Sequence, residues 1–388
     1  MNILYLAHTC PYPPNRGDRI RCYHIIKHLS KKYDLTLVYP IFDSHHDQCP
    51  KYIYQYCKTI IPIKLRILFS YLSVCKSFLS RRSFSSAFFN SNMLKIAVQK
   101  LSPDLILADC STMAQYALDK PCPKILDFVD VDSEKWSRYS SLRGFPYSSI
   151  FRMEARRLAQ FERFLLRRFN CCLVTSSYEK SLLDNAAHIE VLPNGVDQQY
   201  FITPYTPVDG SIIFTGVMNY FPNCDAVLHF HRQVLPLITR QIPAAQFIIA
   251  GMHPTPQIRK LADHQTIVTG FVPDIRAYLS KAAVCVVPLR IAMGVQNKIL
   301  EAMAMGVPVI ASSVANRGIN ARHEREILVA DDPASFAAAT TRLLTDQHLR
   351  ETIRANAKQF IDQHFRWETN LQRLDELIAE VTRTSPSH

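Results

Sequence analysis

The sequence predicts an α/β protein with two parallel sheets, each in its own domain. Short apolar runs rich in β-branched residues recur along the 388 residues with helix-length segments between them, which is typical of buried parallel strands. The first series is ILYLA at 3, LTLVY at 35, LILA at 105, ILDFV at 125 and CCLVTS at 171. The second is SIIFTG at 211, FIIAG at 247, IVTGF at 267, VCVVP at 284 and VPVIAS at 307. A chain of this length exceeds what one hydrophobic core usually supports, so we predict two doubly wound domains.

Turn-forming residues indicate where the two domains meet. Pro, Asn, Gly and Asp concentrate in LPNGVDQQYFITPYTPVDG, residues 192–210, between the two strand series. We therefore predict a first domain at residues 1–195 and a second at residues 196–365. The last segment, residues 366–388, has apolar residues at helical spacing and predicts an amphipathic helix that docks back on the first domain.

The positive charge is concentrated in the first half of the chain. Residues 1–190 carry 27 Lys and Arg against 16 Asp and Glu, whereas residues 191–388 carry 18 against 17, which divides the net charge of +12 into +11 and +1. Such a bias suggests an anionic partner, either a membrane surface or nucleic acid. The basic segments lack interleaved aromatic residues and a known nucleic-acid motif, so we expect no nucleic-acid partner.

Cysteine use and hydropathy bear on the compartment. Eleven cysteines without a C-x-x-C pair favour a reduced, cytoplasmic location. The N-terminus enters a strand-like run without a basic leader, which argues against a signal peptide. The most apolar window, residues 67–75, is far shorter than the roughly 20 residues of a spanning helix. We expect a chain that does not cross the membrane.

Two basic stretches, residues 64–82 and 151–169, have the character of helices that lie on a bilayer. The second combines six arginines with an apolar stripe that includes Leu158 and Leu165. Basic amphipathic helices bind anionic lipid surfaces. We therefore expect peripheral attachment to the inner face of the cytoplasmic membrane. The alternative for residues 151–169 is a core helix with a solvated arginine face.

An isolated carboxylate is the clearest functional signal. In GVQNKILEAMAMGVPVI, residues 294–310, Glu301 is followed by fifteen positions without another charge. If a helix begins near Gly294, then Gly294, Lys298 and Glu301 share one face, with Lys298 about one turn (~5.4 Å) before Glu301. The helix N-terminus and Lys298 suit a phosphate, and the carboxylate suits ribose hydroxyls. This pattern predicts a nucleotide site, with a surface ion pair between Lys298 and Glu301 as the alternative.

The same stretch carries a family resemblance. Its pattern K-x-x-E-A-M-A-x-G-x-P-V-I resembles the donor-site signature of family 4 retaining glycosyltransferases with the GT-B fold. VLPNGVD, IIFTGVMNYFPNCDAV and VTGFVPDIRAYLSKAAVCVVPL precede it in the family's order. More narrowly, RGDRIRCYHIIKHLSKKYDLTLV and DFVDVDSEKW resemble bacterial sugar transferases of exopolysaccharide and exosortase systems. The resemblance implies two Rossmann-like domains that face each other across a cleft.

The resemblance also implies the chemistry. It implies metal-independent hexosyl transfer, with retention and without a cofactor, from a nucleotide-diphosphate sugar to a lipid-linked or polysaccharide acceptor in exopolysaccharide or cell-envelope glycan synthesis. Lys298 would meet the diphosphate as a catalytic residue, and Glu301 the ribose. The expected donor-binding residues of the second domain are Gly216, Asn219, Gly294, Asn297, Lys298 and Glu301. Met293 stands where relatives often have a first glutamate. Asn223 is a further donor candidate, with helix capping as its alternative.

The loop before the first helix is a candidate phosphate site. Gly17 follows HTCPYPPNR and opens a predicted helix, where a glycine lets a phosphate approach the backbone. In the family this loop faces the donor diphosphate, so Gly17, Arg16 and also Arg21 are candidates. The alternative is a plain turn.

The run ILDFVDVDSEKW supplies the second candidate of the first domain. Relatives have a histidine after the matching strand that touches the transferred sugar, and alignment of the strand ends places Asp130 there as the candidate catalytic residue. Asp127, Asp130 and Asp132 also allow a Mg²⁺ hypothesis, although helix capping is the ordinary role of Asp132.

Two other functions remain open at this stage. A nucleotide-sugar 2-epimerase also uses two facing Rossmann-like domains, and a non-catalytic membrane-associated protein could keep the same fold.

Overall fold

The computed structural model describes residues 1–42, 51–183 and 188–384, and the chain divides into two compact units. Unit 1 comprises Met1–Leu192 and Leu371–His388, and unit 2 comprises Pro193–Asn370. The predicted boundaries differ from these by three residues at the first junction (195 against 192) and five at the second (365 against 370). Residues 385–388 of the predicted C-terminal segment lie outside the described residues.

Within its described residues unit 1 contains a seven-stranded parallel sheet. Its strands β1 to β7 are Asn2–Leu6, Asp34–Phe42, Thr59–Leu65, Leu105–Asp109, Lys124–Asp127, Cys171–Val174 and Ile189–Val191. They lie in the order β3-β2-β1-β4-β5-β6-β7. The helices α1 to α8 are Gly17–Leu29, Ile67–Ser77, Phe84–Phe88, Asn92–Gln99, Ser111–Ala114, Asp132–Ser141, Tyr147–Leu166 and Ser177–Leu182, and a 3₁₀ turn covers Lys51–Gln55.

Unit 2 contains a six-stranded parallel sheet. Its strands β8 to β13 are Val208–Thr215, Gln246–Ala250, Thr266–Gly270, Ala282–Val287, Val309–Ala311 and Leu328–Val329, in the order β10-β9-β8-β11-β12-β13. The helices α9 to α17 are Gln198–Ile202, Phe221–His229, Leu235–Thr239, Pro256–Arg259, Arg276–Leu279, Asn297–Ala304, Ser313–Asn316, Pro333–Thr345 and Gln347–His364, with a π turn at Phe230–Val234.

The central strands form the floor of each core. Every residue of β4 and β11 is buried, because helices on both faces of a parallel sheet exclude water from its strands. Ile106 and Ala108 of β4 belong to a large buried cluster in unit 1, and most of β11 belongs to one in unit 2. This is why the apolar runs of the sequence locate these strands.

Three strands were not predicted, and each lies at the edge of its sheet. The missed strands are β3, β7 and β13. The strand β3 contains Pro62 and Lys64, which an edge strand accommodates because one of its sides has no ladder to maintain. The other two have only three and two residues. An edge strand needs less apolar surface, so its sequence signal is weaker.

Each sheet has one point at which the strand order changes direction. This point lies between β1 and β4 in unit 1 and between β8 and β11 in unit 2. Ligands of open α/β sheets bind at the carboxyl ends of the strands beside such a point. Functional residues are therefore expected just after Leu6 and Asp109 in one unit, and after Thr215 and Val287 in the other.

The last helix, α18, spans Trp367–Thr384, and its part from Leu371 onward belongs to unit 1. Asp375 accepts a hydrogen bond from Lys32 at 2.6 Å and lies 2.9 Å from His28 Nε2. Arg373 lies 3.5 Å from Glu190. The apolar side chains of α18 are buried, namely Leu371, Leu374, Leu377, Ile378 and Val381. These contacts attach the helix to unit 1.

The helix α7 does not present its apolar stripe to a membrane. The predicted stripe consists of Phe151, Leu158, Leu165 and Phe169. The last three are buried in unit 1 and Phe151 is partly buried, so the core-helix alternative for residues 151–169 is correct. The pattern predicted an apolar face, and Leu165 and Phe169 of that face belong to a buried cluster with strand residues of unit 1. The other basic stretch ends β3 and then forms α2, whose apolar side chains are largely exposed. None of the helices in the described residues has the length and apolar content that a membrane span requires.

Candidate functional site

Two glycines shape the carboxyl ends of β8 and β9. Gly216 has a φ of +155° and Gly251 a φ of +150°. A Cβ on Gly251 would lie 1.7 Å from the carbonyl oxygen of Gly216, and a Cβ on Gly216 would lie 3.2 Å from Lys298 Nζ. Neither position has room for a side chain. The two strand ends therefore pack together with the lysine beside them.

The helix α14 begins at Asn297, three residues later than we predicted. Gly294 lies in the preceding loop with a φ of +56°, a left-handed conformation that cannot continue a right-handed helix. Its carbonyl oxygen would lie 2.1 Å from a Cβ on Gly318, so the loop is packed against backbone. The prediction that Gly294 shares a helical face with Lys298 and Glu301 is therefore wrong. Only Lys298 and Glu301 share α14.

Asn297, the first residue of α14, contacts the segment at the start of unit 2. Its side-chain oxygen accepts a hydrogen bond from Asn194 Nδ2 at 3.0 Å. The N-terminus of α14 has no side-chain cap among the described residues. The amide of Ile299 donates to the Gln296 carbonyl at 2.9 Å, which leaves the amides of Asn297 and Lys298 as the candidate donors to an anion.

Lys298 is a partly buried ammonium with a single close amide partner. Its Nζ donates to Asn223 Oδ1 at 2.5 Å and lies 4.4 Å from the centre of the Phe214 ring. Burial lowers the pKa of Lys298 to about 8, although Cys285 and Glu301 act in the opposite direction. The amide of Asn223 also donates to the carbonyl of Val217 at 2.9 Å. Asn223 thus fixes the lysine and does not cap α10, which contradicts the capping alternative.

Glu301 is a partly buried carboxylate one turn along α14. In the described part of the chain no ion pair or hydrogen bond reaches its oxygens, so the alternative of a surface ion pair with Lys298 is wrong. Burial raises the pKa of Glu301 to about 7, and the positive charge of Lys298 offsets this only in part. Carboxylates shielded from water normally have partners in the protein. An unpartnered one in this position points to a polar ligand.

Two other residues of this region have simpler environments. Asn219 lies exposed in the loop between β8 and α10, and its contact with a donor stays a prediction. The carbonyl of Met293 accepts a hydrogen bond from Gln296 Nε2 at 2.7 Å. The side chain of Met293 carries no carboxylate, so the sugar contact that relatives often make there has no counterpart.

In unit 1, Arg21 is committed to the core. It is 1% exposed, and its guanidinium donates to both oxygens of Asp127 at 2.6 and 3.1 Å and to the carbonyl of Leu192 at 2.8 Å. The prediction that Arg21 contacts a donor phosphate is therefore wrong. Asp132, one of the three aspartates considered for a metal site, forms an ion pair with Lys135. Among the described residues no group of acidic, His or Cys side chains could hold a metal ion, which contradicts the Mg²⁺ hypothesis for the three aspartates.

Gly17 is the first residue of α1, at the predicted helix start. The neighbouring Arg16 is about half exposed, and its Nε donates to Asp18 at 3.2 Å. Burial alone would raise the pKa of Asp18, but hydrogen bonds from His8 and Arg16 hold it well below its usual range. The N-terminus of α1 therefore carries its own carboxylate, neutralised by two basic side chains.

His8, which the sequence analysis missed, lies just after β1 at the point where the strand order changes. Its Nδ1 is 2.6 Å from Asp109 at the end of β4, and its Nε2 is 3.3 Å from Asp18. Burial lowers the pKa of His8, but the two carboxylates outweigh it and the pKa lies well above its usual value. Polar residues at the ends of two predicted strands, ILYLA and LILA, were the signal that could have found this cluster.

Asp130 follows β5 in a strained turn. Val129 has a φ of +62°, and the Asp130 amide donates to the Phe128 carbonyl at 2.7 Å. A β-branched residue in this conformation costs about 1–3 kcal/mol, and such strain is often found at functional sites. The next amide, of Val131, donates to the buried Glu179 at 3.3 Å. Burial and the charge of Asp130 raise the pKa of Glu179 to about 8.

Glu179 was also missed by the sequence analysis. It belongs to VTSSYEKSLL, which was used only for the family resemblance, and Thr175 Oγ1 donates to it at 2.6 Å. Burial raises the pKa of Asp130 as well. The carboxyl end of β5 thus holds two neighbouring carboxyl groups in a poorly solvated position.

The glycosyl transferases group 1 family model matches residues 209–346. This range contains the glycine pair of β8 and β9 and all of α14. A relative from Xenopus tropicalis, glycosyltransferase 1 domain-containing protein 1, is 30% identical over 108 residues, which make up 28% of this chain and 31% of that protein. The chain thus spans about a third of the length of that relative.

Two solved structures resemble the chain over nearly its whole length. Sucrose-phosphate synthase from Thermosynechococcus elongatus has a TM-score of 0.74 at 18% identity and covers 99% of this chain and 100% of its own. Anabaena HepE, solved in complex with UDP-glucose, has a TM-score of 0.68 at 15% identity, with 98% and 100% covered. At these identities the likeness concerns the fold. The chain therefore has the GT-B fold, and residues 209–346 match the glycosyl transferases group 1 model.

Proposed function

We propose that the protein transfers a hexose from a nucleotide-diphosphate donor, which binds at the carboxyl ends of the unit 2 strands. The observation that carries the proposal is Glu301, a poorly solvated carboxylate without a partner among the described residues. Ribose hydroxyls would donate to it, and the ammonium of Lys298, one turn earlier, would meet the diphosphate. HepE is a structural neighbour solved with UDP-glucose, which makes UDP-glucose the first donor to test.

The chemistry requires charge relief on the departing diphosphate. With a pKa of about 8, Lys298 is largely protonated at neutral pH, and the uncapped amides at Asn297 add donors to the same place. Preorganised donors in a poorly solvated site stabilise developing negative charge strongly. Gly216 and Gly294 keep the backbone close to this position, and Asn219 is an additional donor contact. We propose that transfer proceeds with retention and without a metal or cofactor, as the family resemblance implies.

Unit 1 supplies the remaining candidates. Asp130 is proposed to touch the transferred sugar, and Glu179 would hold the turn that carries it through the Val131 amide. Gly17 and Arg16 stay candidates for a contact with the donor diphosphate. Because Asp18 balances the charge of Arg16, little excess positive charge remains at this helix start. The contribution to donor binding is therefore expected to come from the backbone amides of the first turn of α1.

The proposed acceptor is a lipid-linked or polysaccharide chain in exopolysaccharide or cell-envelope glycan synthesis, with the protein attached to the inner face of the cytoplasmic membrane. Unit 1 supports this attachment through α2. Basic residues flank this helix, and several of its large apolar side chains are exposed, namely Leu68, Phe69, Tyr71 and Leu72. Neither the 2-epimerase nor the non-catalytic alternative is favoured by these findings.

A thermal-shift panel of UDP-, GDP- and ADP-sugars on the full chain tests the donor assignment. A ligand at 100 times its Kd stabilises the native state by about 2.7 kcal/mol. One nucleotide class is expected to raise Tm, and Glu301→Ala and Lys298→Met are expected to lose most of that rise. The absence of any shift at millimolar donor, or equal shifts in both variants, would contradict the assignment. Release of the nucleoside diphosphate on addition of an acceptor would then establish transfer.

A further inference from the structure

A cavity of about 530 Å³ opens on unit 1, formed by the segment from α2 to α4, the turn after α5, and α7. None of the candidate residues described above lines it. Its volume falls within the ~300–1,000 Å³ that small-molecule sites occupy. The cavity therefore has room for a ligand and is not explained by the donor site.

The wall of this cavity is strongly basic. Arg81, Arg82, Lys95 and Arg157 line it, against a single carboxylate, Asp119. Asp119 lies 3.3 Å from Lys95 and accounts for that charge. Across the described residues no carboxylate forms an ion pair with the three arginines. The cavity thus carries about three uncompensated positive charges.

Two of the guanidinium groups are fixed in place. Arg157 Nη1 donates to the carbonyls of Ser77 and Arg82 at 2.9 and 3.1 Å, and its guanidinium lies 5.1 Å from the centre of the Phe84 ring. The side chain of Arg82 donates to Gln115. A guanidinium has five N–H donors, so these contacts orient the groups and leave donors for a ligand. Preorganised arginines match the oxygens of a phosphate.

Exposed apolar side chains adjoin the basic cavity. Phe78 and Leu79, which precede the arginine pair, are 48% and 96% exposed, and the Phe78 ring lies 4.5 Å from that of Phe84. The preceding helix α2 also has exposed apolar side chains, which include Leu68 and Phe69. Large exposed apolar groups beside a polar site indicate a partner with both characters.

We propose that this cavity binds the phosphate headgroup of an amphiphile, whose hydrocarbon chain lies on the apolar surface of Phe78, Leu79 and α2. A phosphate monoester carries up to two negative charges and accepts several hydrogen bonds, which suits three arginines without carboxylate partners. As a statement about the acceptor, this inference rests on the proposed function: if the protein transfers a sugar, its acceptor would be a lipid phosphate. The binding itself is tested without donor or turnover.

The test is isothermal titration of the full chain with dihexanoyl phosphatidic acid below its micellar concentration. Inorganic phosphate and dihexanoyl phosphatidylcholine serve as the comparison probes. Phosphatidic acid is expected to bind, phosphatidylcholine not to bind, and inorganic phosphate to bind at least tenfold more weakly than phosphatidic acid. Arg81→Ala and the double variant Arg81→Ala/Arg82→Gln are expected to weaken phosphatidic acid binding at least tenfold. Leu79→Ser should weaken it without changing the affinity for inorganic phosphate.

The control is Arg163→Ala, an exposed arginine of α7 that does not line the cavity and removes the same charge. Binding that falls equally in this control, or that survives the cavity variants, would overturn the proposal. Equal affinity for phosphatidic acid and inorganic phosphate would overturn the amphiphile and indicate a soluble phosphorylated ligand. Circular dichroism checks folding, and the thermal shift with UDP-glucose is expected to be unchanged in all variants. The titration with phosphatidic acid tests the cavity, and the thermal shift with UDP-glucose tests the donor site. Either proposal can therefore fail without the other.

Discussion

The carboxylate of Glu301 is expected to destabilise the unliganded protein, and Glu301→Gln should remove that cost. Burial raises the pKa of this side chain to about 7, against 4.5 for an unperturbed glutamate. A difference of one in pKa corresponds to about 1.36 kcal/mol, so the gap between 4.5 and about 7 costs about 3 kcal/mol when the group is ionised. Glutamine keeps the shape and carries no charge.

The pH dependence identifies the cause. Because the pKa of the folded state is the higher one, the native protein binds more protons than the unfolded chain between about pH 4.5 and pH 7. Stability contributed by Glu301 therefore falls as pH rises through this window and stays reduced above it. Glu301→Gln and the parent protein should be equally stable near pH 4.5. At pH 8 the variant should be ahead by about 3 kcal/mol, or about 6–12 °C in Tm for a domain of this size.

Thermal unfolding at pH 5, 6.5 and 8 measures this difference, with Glu368→Gln as a control because Glu368 is an exposed glutamate of the same unit. The same variant should bind UDP-glucose at least tenfold more weakly, since the acceptor for the ribose hydroxyls has lost its charge. Two results would refute the reasoning that the ionised carboxylate is destabilising without a ligand. One is a lower Tm for Glu301→Gln than for the parent protein at pH 8, and the other is a gain in Tm that does not change with pH.

Three further predictions concern the two units. Gly251→Ala should destabilise unit 2 by about 3 kcal/mol or more in urea denaturation, because its Cβ would lie 1.7 Å from the Gly216 carbonyl oxygen; an unchanged midpoint would contradict this. Arg21→Leu should cost about 3–5 kcal/mol by leaving Asp127 buried and unpaired, and removing both charges should recover part of the loss. Leu68→Ser should reduce flotation of the full chain with anionic liposomes, and equal flotation would argue against membrane attachment through α2.

The sequence located the central strands, because strands buried on both faces need continuous apolar runs. It located few of the contacts between residues that lie far apart in the chain. The isolation of Glu301 in an apolar stretch predicted its unusual environment. The partner of Lys298 could not be predicted, because Asn223 lies 75 positions away and its amide was equally consistent with a helix cap. The start of α14 was misplaced because a glycine fits both a first helical turn and a left-handed loop. Only the backbone around Gly318 decides between these two.

Amphipathic patterns posed a related problem in unit 1. The stripes of α2 and α7 have the same basic and apolar character, yet the stripe of α7 is buried and that of α2 is exposed. A hydrophobic period predicts that a face needs a partner, and it does not say whether the partner is the chain's own sheet. Likewise Arg21 and Asp127 are separated by 106 positions, so neither charge could be assigned to the core from its local sequence.

The charged groups at the strand ends differ in whether the protein supplies them with a counterpart. At the strand ends of unit 1, Arg21 has Asp127 as an acidic neighbour, and His8 has two carboxylates. At the strand ends of unit 2, Lys298 has only an amide and Glu301 has no partner in the described residues. Poorly solvated charges without counterparts are costly in a folded protein. Unit 1 removes this cost for Arg21 and His8 and keeps it at the neighbouring carboxyl groups of Asp130 and Glu179. In unit 2, a ligand with both anionic and hydroxyl groups would relieve the charges of Lys298 and Glu301 at once.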